Sequence, residues 1–338
     1  MAREISGILK NYGLTSEFIE PFGNVFKVYT KKGVFALKKI PATQGIDFVR
    51  HIQQLFQQGY YRIVPVYPTF DGRYGVWSHQ SLYYLMPWID QEENEERDNQ
   101  YEKLFRELAR LHQLTVKAIP IEQKERTEFY EGVKAEWGKQ EEFLEQWISL
   151  CERETYMPPF FLLSSLYYMD ILQALRYAKR KLDQWYESSK DEEKARTVLI
   201  HGKISMDHYF IDERGNGFFS NFENAKLGSP IHDLLPFFSR MLKSYPKPVD
   251  EYVQWYTTYT RYFPLKEEEN QLFLSYLTHP GKIIRTLESY LNSNRKKEIR
   301  YVNKLQNEYW QLKNIEHLVM QFEEIEKAKN NENHEASS

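Results

Sequence analysis

Two stretches decide the fold: residues 199–212 read LIHGKISMDHYFID, and residues 218–238 read FFSNFENAKLGSPIHDLLPFF. Apolar runs lie on both sides of the segment Glu213–Gly217, whose Arg-Gly-Asn-Gly composition is typical of a turn. The pattern predicts a β-hairpin at about 197–223. Because helical patterns precede and follow this segment, the hairpin is expected to interrupt a helical region.

The first part of the chain has a different composition, which predicts a small β-rich unit. Residues 22–40 read FGNVFKVYTKKGVFALKKI, two runs of β-branched and aromatic residues around Lys-Lys-Gly, which predicts a hairpin. Residues 45–57 have apolar side chains at three-to-four spacing, which predicts a short helix. Two further strands are predicted at Ile63–Pro68 and Ser81–Trp88.

The polar segment QEENEERDNQ at 91–100 ends this β-rich pattern, and helical periodicity dominates after it. We therefore predict an N-terminal lobe at 1–90 and a helical C-terminal lobe at 91–329, which contains the hairpin. Residues 330–338 are polar and are expected to form a disordered tail.

The composition excludes several classes of function. A formal net charge of -3, from 45 basic and 48 acidic residues, gives no electrostatic reason to expect nucleic acid as a partner. The single cysteine, Cys151, excludes an internal disulfide and a multi-cysteine metal site. No secretory signal and no apolar stretch long enough to span a membrane are found, so we expect a protein that is made and kept inside the cell.

The order of these elements, together with the two quoted stretches, resembles the protein-kinase-like fold of aminoglycoside phosphotransferases and choline kinase-like proteins. In that superfamily the first stretch reads H-G-D-x-H-x-x-N and the second begins D-[FW]-[ED], followed by Gly-x-Pro and Asp-Leu. The positions that agree are His201, Gly202, Phe222, Glu223, Gly228, Pro230, Asp233 and Leu234. The resemblance extends over roughly residues 15–290.

The resemblance implies an α+β fold with two lobes, a small β-rich N-lobe and a large helical C-lobe. It implies that Lys38, in VFALKKI, would contact the α- and β-phosphates of a nucleotide. The other candidates for the nucleotide cleft are Gly23, Met86 and Glu223. His201 and Asp233 match residues that brace the catalytic loop.

Three positions depart from the pattern, and each departure opposes the chemistry of phosphoryl transfer. Lys203 stands at the catalytic aspartate position, where a protonated amine cannot accept the proton of the substrate. His208 and Asn221 stand at the two magnesium-binding positions, although magnesium prefers carboxylate oxygen. The helix at 45–57 contains no glutamate, only Asp47, so Lys38 is expected to lack its usual partner. We therefore predict no intact catalytic residue, no resident metal and doubtful binding of ATP and magnesium.

The combination looks most like the spore coat-associated kinase-like proteins of endospore-forming bacilli, the CotS/YutH group. This resemblance implies synthesis in the cytoplasm of the mother cell, assembly in the spore coat and other coat proteins as partners. The first hypothesis is thus a pseudokinase with a structural or interaction role.

Two alternatives remain open. One is a slow small-molecule phosphotransferase that uses Asp207 or Glu223 as replacement metal ligands. The other is a module that senses a nucleotide or another small ligand in the cleft. A cleft filled by Lys203, His208 and nearby aromatic side chains would favour the structural role over sensing.

Overall fold

Ten helices and ten strands are assigned in the computed structural model, which describes residues 2–89, 97–242, 245–246, 248–293 and 297–335. The strands are β1 (Ser16–Phe22), β2 (Val25–Thr30), β3 (Gly33–Pro41), β4 (Val76–Ser78), β5 (Ser81–Pro87), β6 (Lys117–Pro120), β7 (Lys194–Ile200), β8 (Tyr209–Ile211), β9 (Gly217–Phe219) and β10 (Lys226–Gly228). The helices are α1 (Ala2–Lys10), α2 (Phe48–Gln57), α3 (Arg97–Thr115), α4 (Gln123–Glu152), α5 (Pro159–Ser189), α6 (Ile231–Met241), α7 (Asp250–Tyr262), α8 (Glu267–Thr278), α9 (Gly281–Asn292) and α10 (Glu298–Glu335).

The chain divides into two compact units, which do not coincide with the predicted lobes. Unit 1 comprises Met1–Thr115 and Val198–Gly228, and unit 2 comprises Val116–Thr197 and Ser229–Ser338. Segment 198–228 groups with the first part of the chain because Phe219 exchanges backbone hydrogen bonds with Arg62 and Val64, at 2.9 and 2.8 Å. Helix α10 extends to Glu335 and so includes most of the predicted tail, whereas 336–338 lie outside the described residues.

Unit 1 contains a five-stranded antiparallel sheet with the strand order β1-β2-β3-β5-β4. Helix α1 covers one face, where Ile5, Ile8 and Leu9 pack with apolar side chains of the strands such as Leu37 and Leu85. Side chains alternate between the faces of a strand, so Ala36 and Lys38 lie on the other face. There the register sets Ala36 opposite Met86, and Lys38 opposite Tyr84.

The predicted strand at Ile63–Pro68 is wrong. This segment makes only isolated bridges, from Ile63 to Phe219 and from Tyr67 to Leu85. Pro65 and Pro68 explain the difference, because proline has no N–H to donate to a strand ladder. The predicted helix at 45–57 is confirmed as α2, and the hairpin around Glu213–Gly217 is confirmed as β8 and β9.

Unit 2 is mainly helical, and its core is rich in aromatic side chains. The side chain of Trp147, in α4, packs against α5. Its indole Nε1 donates a hydrogen bond to Ser164 at 3.0 Å, and its ring packs edge-on against Phe161. Tyr290 of α9 stacks on Phe160 with ring centroids 4.0 Å apart. The sheet of unit 1 and the helices of unit 2 confirm the predicted α+β class. In the described part of the chain, no helix is both long and apolar enough to cross a membrane.

Candidate functional site

Lys38, on the face of β3 opposite to α1, forms an ion pair inside unit 1. Its Nζ lies 2.6 Å from Oε1 of Glu223, and the side chains are 15 % and 2 % exposed. The Tyr84 hydroxyl donates a hydrogen bond to the same oxygen at 2.6 Å. The expectation that Lys38 lacks a partner is therefore wrong: the acid comes from residue 223, while Asp47 is exposed and lies 3.9 Å from Arg50.

The electrostatics of the pair combine burial with mutual attraction. Burial lowers the pKa of Lys38, because it penalises the ammonium form, and the nearby charge of Glu223 raises it by less. Burial alone would raise the pKa of Glu223, but the charge of Lys38 and the hydrogen bonds from Lys38 and Tyr84 bring that pKa below its usual value. The attraction between the two groups thus opposes the effect of burial on each of them, and the glutamate holds the lysine side chain on the sheet.

Asn221 connects this ion pair to His208. Lys38 donates a hydrogen bond to Asn221 Oδ1, while Asn221 Nδ2 lies 3.0 Å from His208 Nε2. The backbone of Asn221 has φ 68° and ψ 45°, a left-handed conformation that asparagine and aspartate tolerate better than most residues. An asparagine at this position thus keeps the backbone turn while removing a negative charge.

His208 is held as a neutral imidazole. Its Nδ1 donates to the carbonyl oxygen of Lys203 at 2.9 Å, which leaves Nε2 to accept from Asn221. The pKa of His208 is lowered to about 4, mainly by burial. The hydrogen bond to the Lys203 carbonyl opposes this shift, and the charges of His201, Lys38 and Lys203 contribute to it. Both ring nitrogens are therefore engaged in hydrogen bonds.

His201 and Gly202 fix the loop that carries Lys203. The His201 ring is fully buried; its Nε2 donates to the Ser220 carbonyl at 2.6 Å and its Nδ1 accepts from the Lys203 backbone N–H at 3.3 Å. Gly202 has φ 79°, and a Cβ there would lie 2.4 Å from the Asn224 carbonyl oxygen. His201 thus joins two backbone segments of the loop, and its bracing role stays a prediction. Asp233, the second bracing candidate, is buried in the first turn of α6 in unit 2.

Lys203 and Asp207 are both exposed. Within the described residues, the Lys203 ammonium makes no hydrogen bond or ion pair. The Asp207 carboxylate accepts a hydrogen bond from the Ser205 hydroxyl at 3.0 Å. The side chain at the predicted catalytic position is thus an exposed lysine, and the nearby Asp207 carboxylate is hydrogen-bonded to Ser205.

A cavity of about 330 Å³ lies within unit 1, against the face of the sheet opposite to α1. Its apolar wall includes Ala36, Val64 and Met86, its aromatic wall Phe22 and Trp88, and its polar wall Lys38, Asp207 and His208. This volume is at the lower end of the roughly 300–1,000 Å³ of small-molecule pockets. Of the three substituted side chains only His208 lines the cavity, and the space beside it is hollow rather than filled.

Gly23, the last cleft candidate, lies in the two-residue turn between β1 and β2, where Phe22 pairs with Val25. Its φ of 61° explains the residue type, because such hairpin turns favour glycine at a positive φ. The structure therefore gives Gly23 a turn-forming role beside Phe22 of the cavity wall.

The magnesium and nucleotide that the fold implies can be compared with these donors. Asn221 Oδ1 accepts from the Lys38 ammonium, and both nitrogens of His208 are engaged, so neither side chain offers a free donor to a hard cation. Glu223 Oε1 is taken by Lys38 and Tyr84. Across the residues that the structure describes, no group of three His, Cys, Asp or Glu side chains is placed to hold a metal ion. Glu223 Oε2 has no hydrogen-bond partner among the described residues, and Asp207 is exposed, so two carboxylates remain apart from the two family metal positions. Asn221 and His208, as they are bonded here, do not fit magnesium.

Sequence reasoning missed two groups of functional candidates. Tyr84 was assigned only to a strand, although it completes the ion pair, and Phe22 and Trp88 were not recognised as cavity walls. The register of β3 against β5, which places Tyr84 opposite Lys38, is the signal that could have identified Tyr84.

Comparison with known proteins places this geometry in a family. The model of the phosphotransferase enzyme family, APH, matches residues 17–265, more than half of the chain. No curated protein matches by sequence. An aminoglycoside phosphotransferase from Alicyclobacillus acidocaldarius superposes with a TM-score of 0.69 at 12 % identity, covering 95 % of this chain and 96 % of that one. Spectinomycin phosphotransferase in complex with ADP and spectinomycin superposes with a TM-score of 0.51 at 13 % identity, covering 93 % and 98 %. At these identities the structures show a common fold, and with the family match they establish that the chain belongs to the phosphotransferase enzyme family.

Proposed function

We propose that this protein is a catalytically degenerate phosphotransferase that acts as a structural or interaction component of the bacterial endospore coat. The observation that carries the first half is the contact network of Lys38, Asn221, His208 and Glu223. In it, the side chains at the two metal positions bond to each other and to the lysine instead of presenting free oxygen ligands.

The chemistry of phosphoryl transfer supports this proposal. The reaction needs a group that orients or deprotonates the attacking hydroxyl and cations that neutralise the charge developing on the phosphoryl oxygens. Lys203 cannot act as a base while it is protonated. The pair of Lys38 with Glu223 does not itself oppose catalysis, because protein kinases hold the phosphate-binding lysine with a glutamate in the same way, so the argument rests on Lys203, His208 and Asn221.

The coat assignment is supported by the sequence resemblance to the CotS/YutH group. In this proposal the chain is made in the cytoplasm of the mother cell, is assembled in the spore coat and contacts other coat proteins. The near-balanced charge of -3 agrees with protein partners rather than nucleic acid.

A kinase assay tests the catalytic half of the proposal. The purified chain is incubated with ATP, magnesium and a panel of hydroxyl and amine substrates, and ADP release is measured alongside Lys38→Ala and the control Lys39→Ala, which alters the adjacent lysine on the opposite face of β3. We expect no substrate-dependent turnover in any sample. Turnover that Lys38→Ala abolishes and Lys39→Ala retains would disprove degeneracy.

The location of the protein in sporulating cells tests the spore-coat part of the proposal. A fluorescent fusion of the full chain, expressed from a mother-cell promoter in a sporulating bacillus, should surround the forespore and co-purify with the coat fraction of mature spores. A diffuse signal throughout the mother cell, absent from coat extracts, would contradict the coat role whatever the assay shows.

The hollow cavity favours a second candidate function, the sensing of a small ligand. Its apolar wall of Ala36, Val64 and Met86 is preformed, and the lysine at its edge is already placed by the ion pair. A ligand that binds only the native state must raise the unfolding temperature. Thermal unfolding with a library of nucleotides and other phosphorylated compounds would detect it, and the absence of any shift at millimolar concentration would eliminate this function.

A further inference from the structure

A second cavity lies within unit 2, where it is lined by helices α5 and α10, and it shares no residue with the site around Lys38. Its volume is about 460 Å³, inside the roughly 300–1,000 Å³ of small-molecule pockets. The lining residues recur at three-to-four spacing along α5 and along α10, so each helix presents one face to the space, and Thr278 of α8 completes the wall.

The floor of this cavity is apolar, and one small side chain keeps it open. Leu312, Ile315 and Val319 of α10 are buried, whereas α5 contributes Ala174, whose single methyl group leaves the space between the helices unfilled. Met320 also lines the cavity and is 53 % exposed. Because methionine adapts to irregular apolar surfaces, this floor suits the apolar body of a small ligand.

The three carboxylates that line the cavity each have a cationic partner within the protein. The Lys313 ammonium lies 3.7 Å from Asp170 and also pairs with Glu316. The Lys181 ammonium lies 2.9 Å from Glu323. A positively charged ligand would have to compete with these lysines, so the carboxylates do not select a cation.

The two arginines that line the cavity differ, because only one of them has an anionic partner. The Nε of Arg176 donates a hydrogen bond to Glu141 at 2.7 Å. The guanidinium of Arg180 lies over the ring of Tyr177, 5.2 Å from its centroid, and makes no hydrogen bond or ion pair with any residue that the structure describes. An exposed fork of N–H donors thus stands beside an apolar floor, and this fork matches the geometry of a carboxylate.

We propose that the cavity between α5 and α10 binds a small carboxylic acid with an apolar body, whose carboxylate pairs with Arg180 while the body lies on the apolar floor. The single charge of a carboxylate matches the single unpaired guanidinium. A phosphate ester carries about two negative charges, and the three carboxylates of the wall oppose the second. This binding site goes beyond the function proposed above and does not depend on it.

Calorimetric titration of the full chain with octanoate tests the proposal, with octanamide, octylamine and octyl phosphate as the neutral, cationic and phosphate analogues. We expect saturable binding of octanoate and about tenfold weaker binding of each analogue. Arg180→Ala should weaken octanoate binding about tenfold, in line with the loss of a charge-assisted pair, and should leave octanamide binding unchanged. Arg261→Ala, which removes an exposed arginine of α7 that does not line the cavity, is the matched control and should bind like the wild type.

A second measurement locates the ligand. With carbon-13 in the methionine methyl groups, the NMR signal of Met320, assigned with Met320→Leu, should shift when octanoate is added. Ala174→Trp should fill the cavity and abolish binding. Urea unfolding of each variant checks that the fold is retained, and the exposed Arg180→Ala decides the question if Ala174→Trp does not fold.

The proposal is overturned if octanoate shows no saturable binding at millimolar concentration, or if octanamide or octyl phosphate binds as tightly as octanoate. It is equally overturned if Arg180→Ala binds octanoate like the wild type, or if octanoate binds without moving the Met320 signal. The kinase assay does not bear on these outcomes, because no residue of this cavity belongs to the site around Lys38.

Discussion

Removing the Lys38 ammonium should destabilise unit 1, because the lysine is the buried counter-ion of Glu223. Lys38→Met keeps the length of the side chain but leaves the carboxylate, which is 2 % exposed, with only the hydrogen bond from Tyr84 at 2.6 Å. Its other oxygen, Oε2, has no hydrogen-bond partner among the described residues. A buried carboxylate without its counter-ion is among the costliest changes in a protein interior.

The magnitude follows from the distance. At 2.6 Å and an effective dielectric constant of about 20, the attraction is about 6 kcal/mol, before the cost of removing both charges from water. Breaking a buried pair by removing one partner costs about 3–5 kcal/mol. Since Lys38 is 15 % exposed and Tyr84 still binds the carboxylate, we expect the lower limit, about 3 kcal/mol. Glu223→Gln alone should cost about 2 kcal/mol, and the double variant about 3 rather than the sum, because the two positions are coupled.

Urea unfolding of the four proteins measures these free energies, and hydrogen exchange at the backbone of β3 assigns the change to unit 1. Lys31→Met, in the exposed turn after β2, is the matched control and should leave the free energy of unfolding unchanged.

The pH dependence gives a second check. The folded-state pKa of Glu223 is lowered, so the stability that this carboxylate contributes is present above the unfolded-state pKa and is lost as the pH falls through the folded-state pKa. The difference between wild type and Lys38→Met should therefore shrink in acid. A cost below about 1 kcal/mol, or additive single costs, would refute the ion-pair argument.

Three further outcomes are expected. The folded-state pKa of His208 is lowered to about 4, so the free energy of unfolding should fall as the pH drops from about 6.5 to about 4. After allowing for partial exposure, the expected decrease is about 2 kcal/mol. His208→Gln should not show this decrease in urea unfolding. Gly202→Ala should cost about 3 kcal/mol, because φ is 79° and a backbone carbonyl blocks the new Cβ, whereas Gly132→Ala in α4 has open space and should be neutral or stabilising in thermal unfolding. Asn221→Asp should raise the pKa of His208, seen as a shifted imidazole titration by NMR; an unchanged titration would contradict the contact between them.

The sequence predicted those parts of the fold that depend on local pattern. The hairpin of β2 and β3, helix α2 and the hairpin of β8 and β9 each have periodicity and turn residues within their own boundaries. The missed or wrong elements lack such a signal. Strand β4 has three residues, and the segment Ile63–Pro68 has the composition of a strand but contains two prolines that prevent a ladder.

The candidate site was predictable in its residues but not in its contacts. Lys38, His208, Asn221 and Glu223 were identified from motif positions. Their mutual bonding depends on how residues 198–228 pack against the sheet, which no local pattern encodes. The acid in the predicted helix, Asp47, is exposed and pairs with Arg50, whereas the partner of Lys38 is Glu223, far along the chain.

Two kinds of constraint operate on this loop, and they separate the positions that match the phosphotransferase pattern from those that depart from it. His201 and Gly202 are fixed by packing. The His201 ring is fully buried and bonded to the backbone, and a Cβ at Gly202 would have no room. Lys203 is exposed to solvent, where packing accepts almost any side chain and only the reaction demands a carboxylate. At Asn221 the left-handed backbone accepts asparagine as readily as aspartate. The fold therefore accepts Lys203 and Asn221 at these two positions, and the hydrogen bond from Lys38 to Asn221 satisfies the asparagine within the protein.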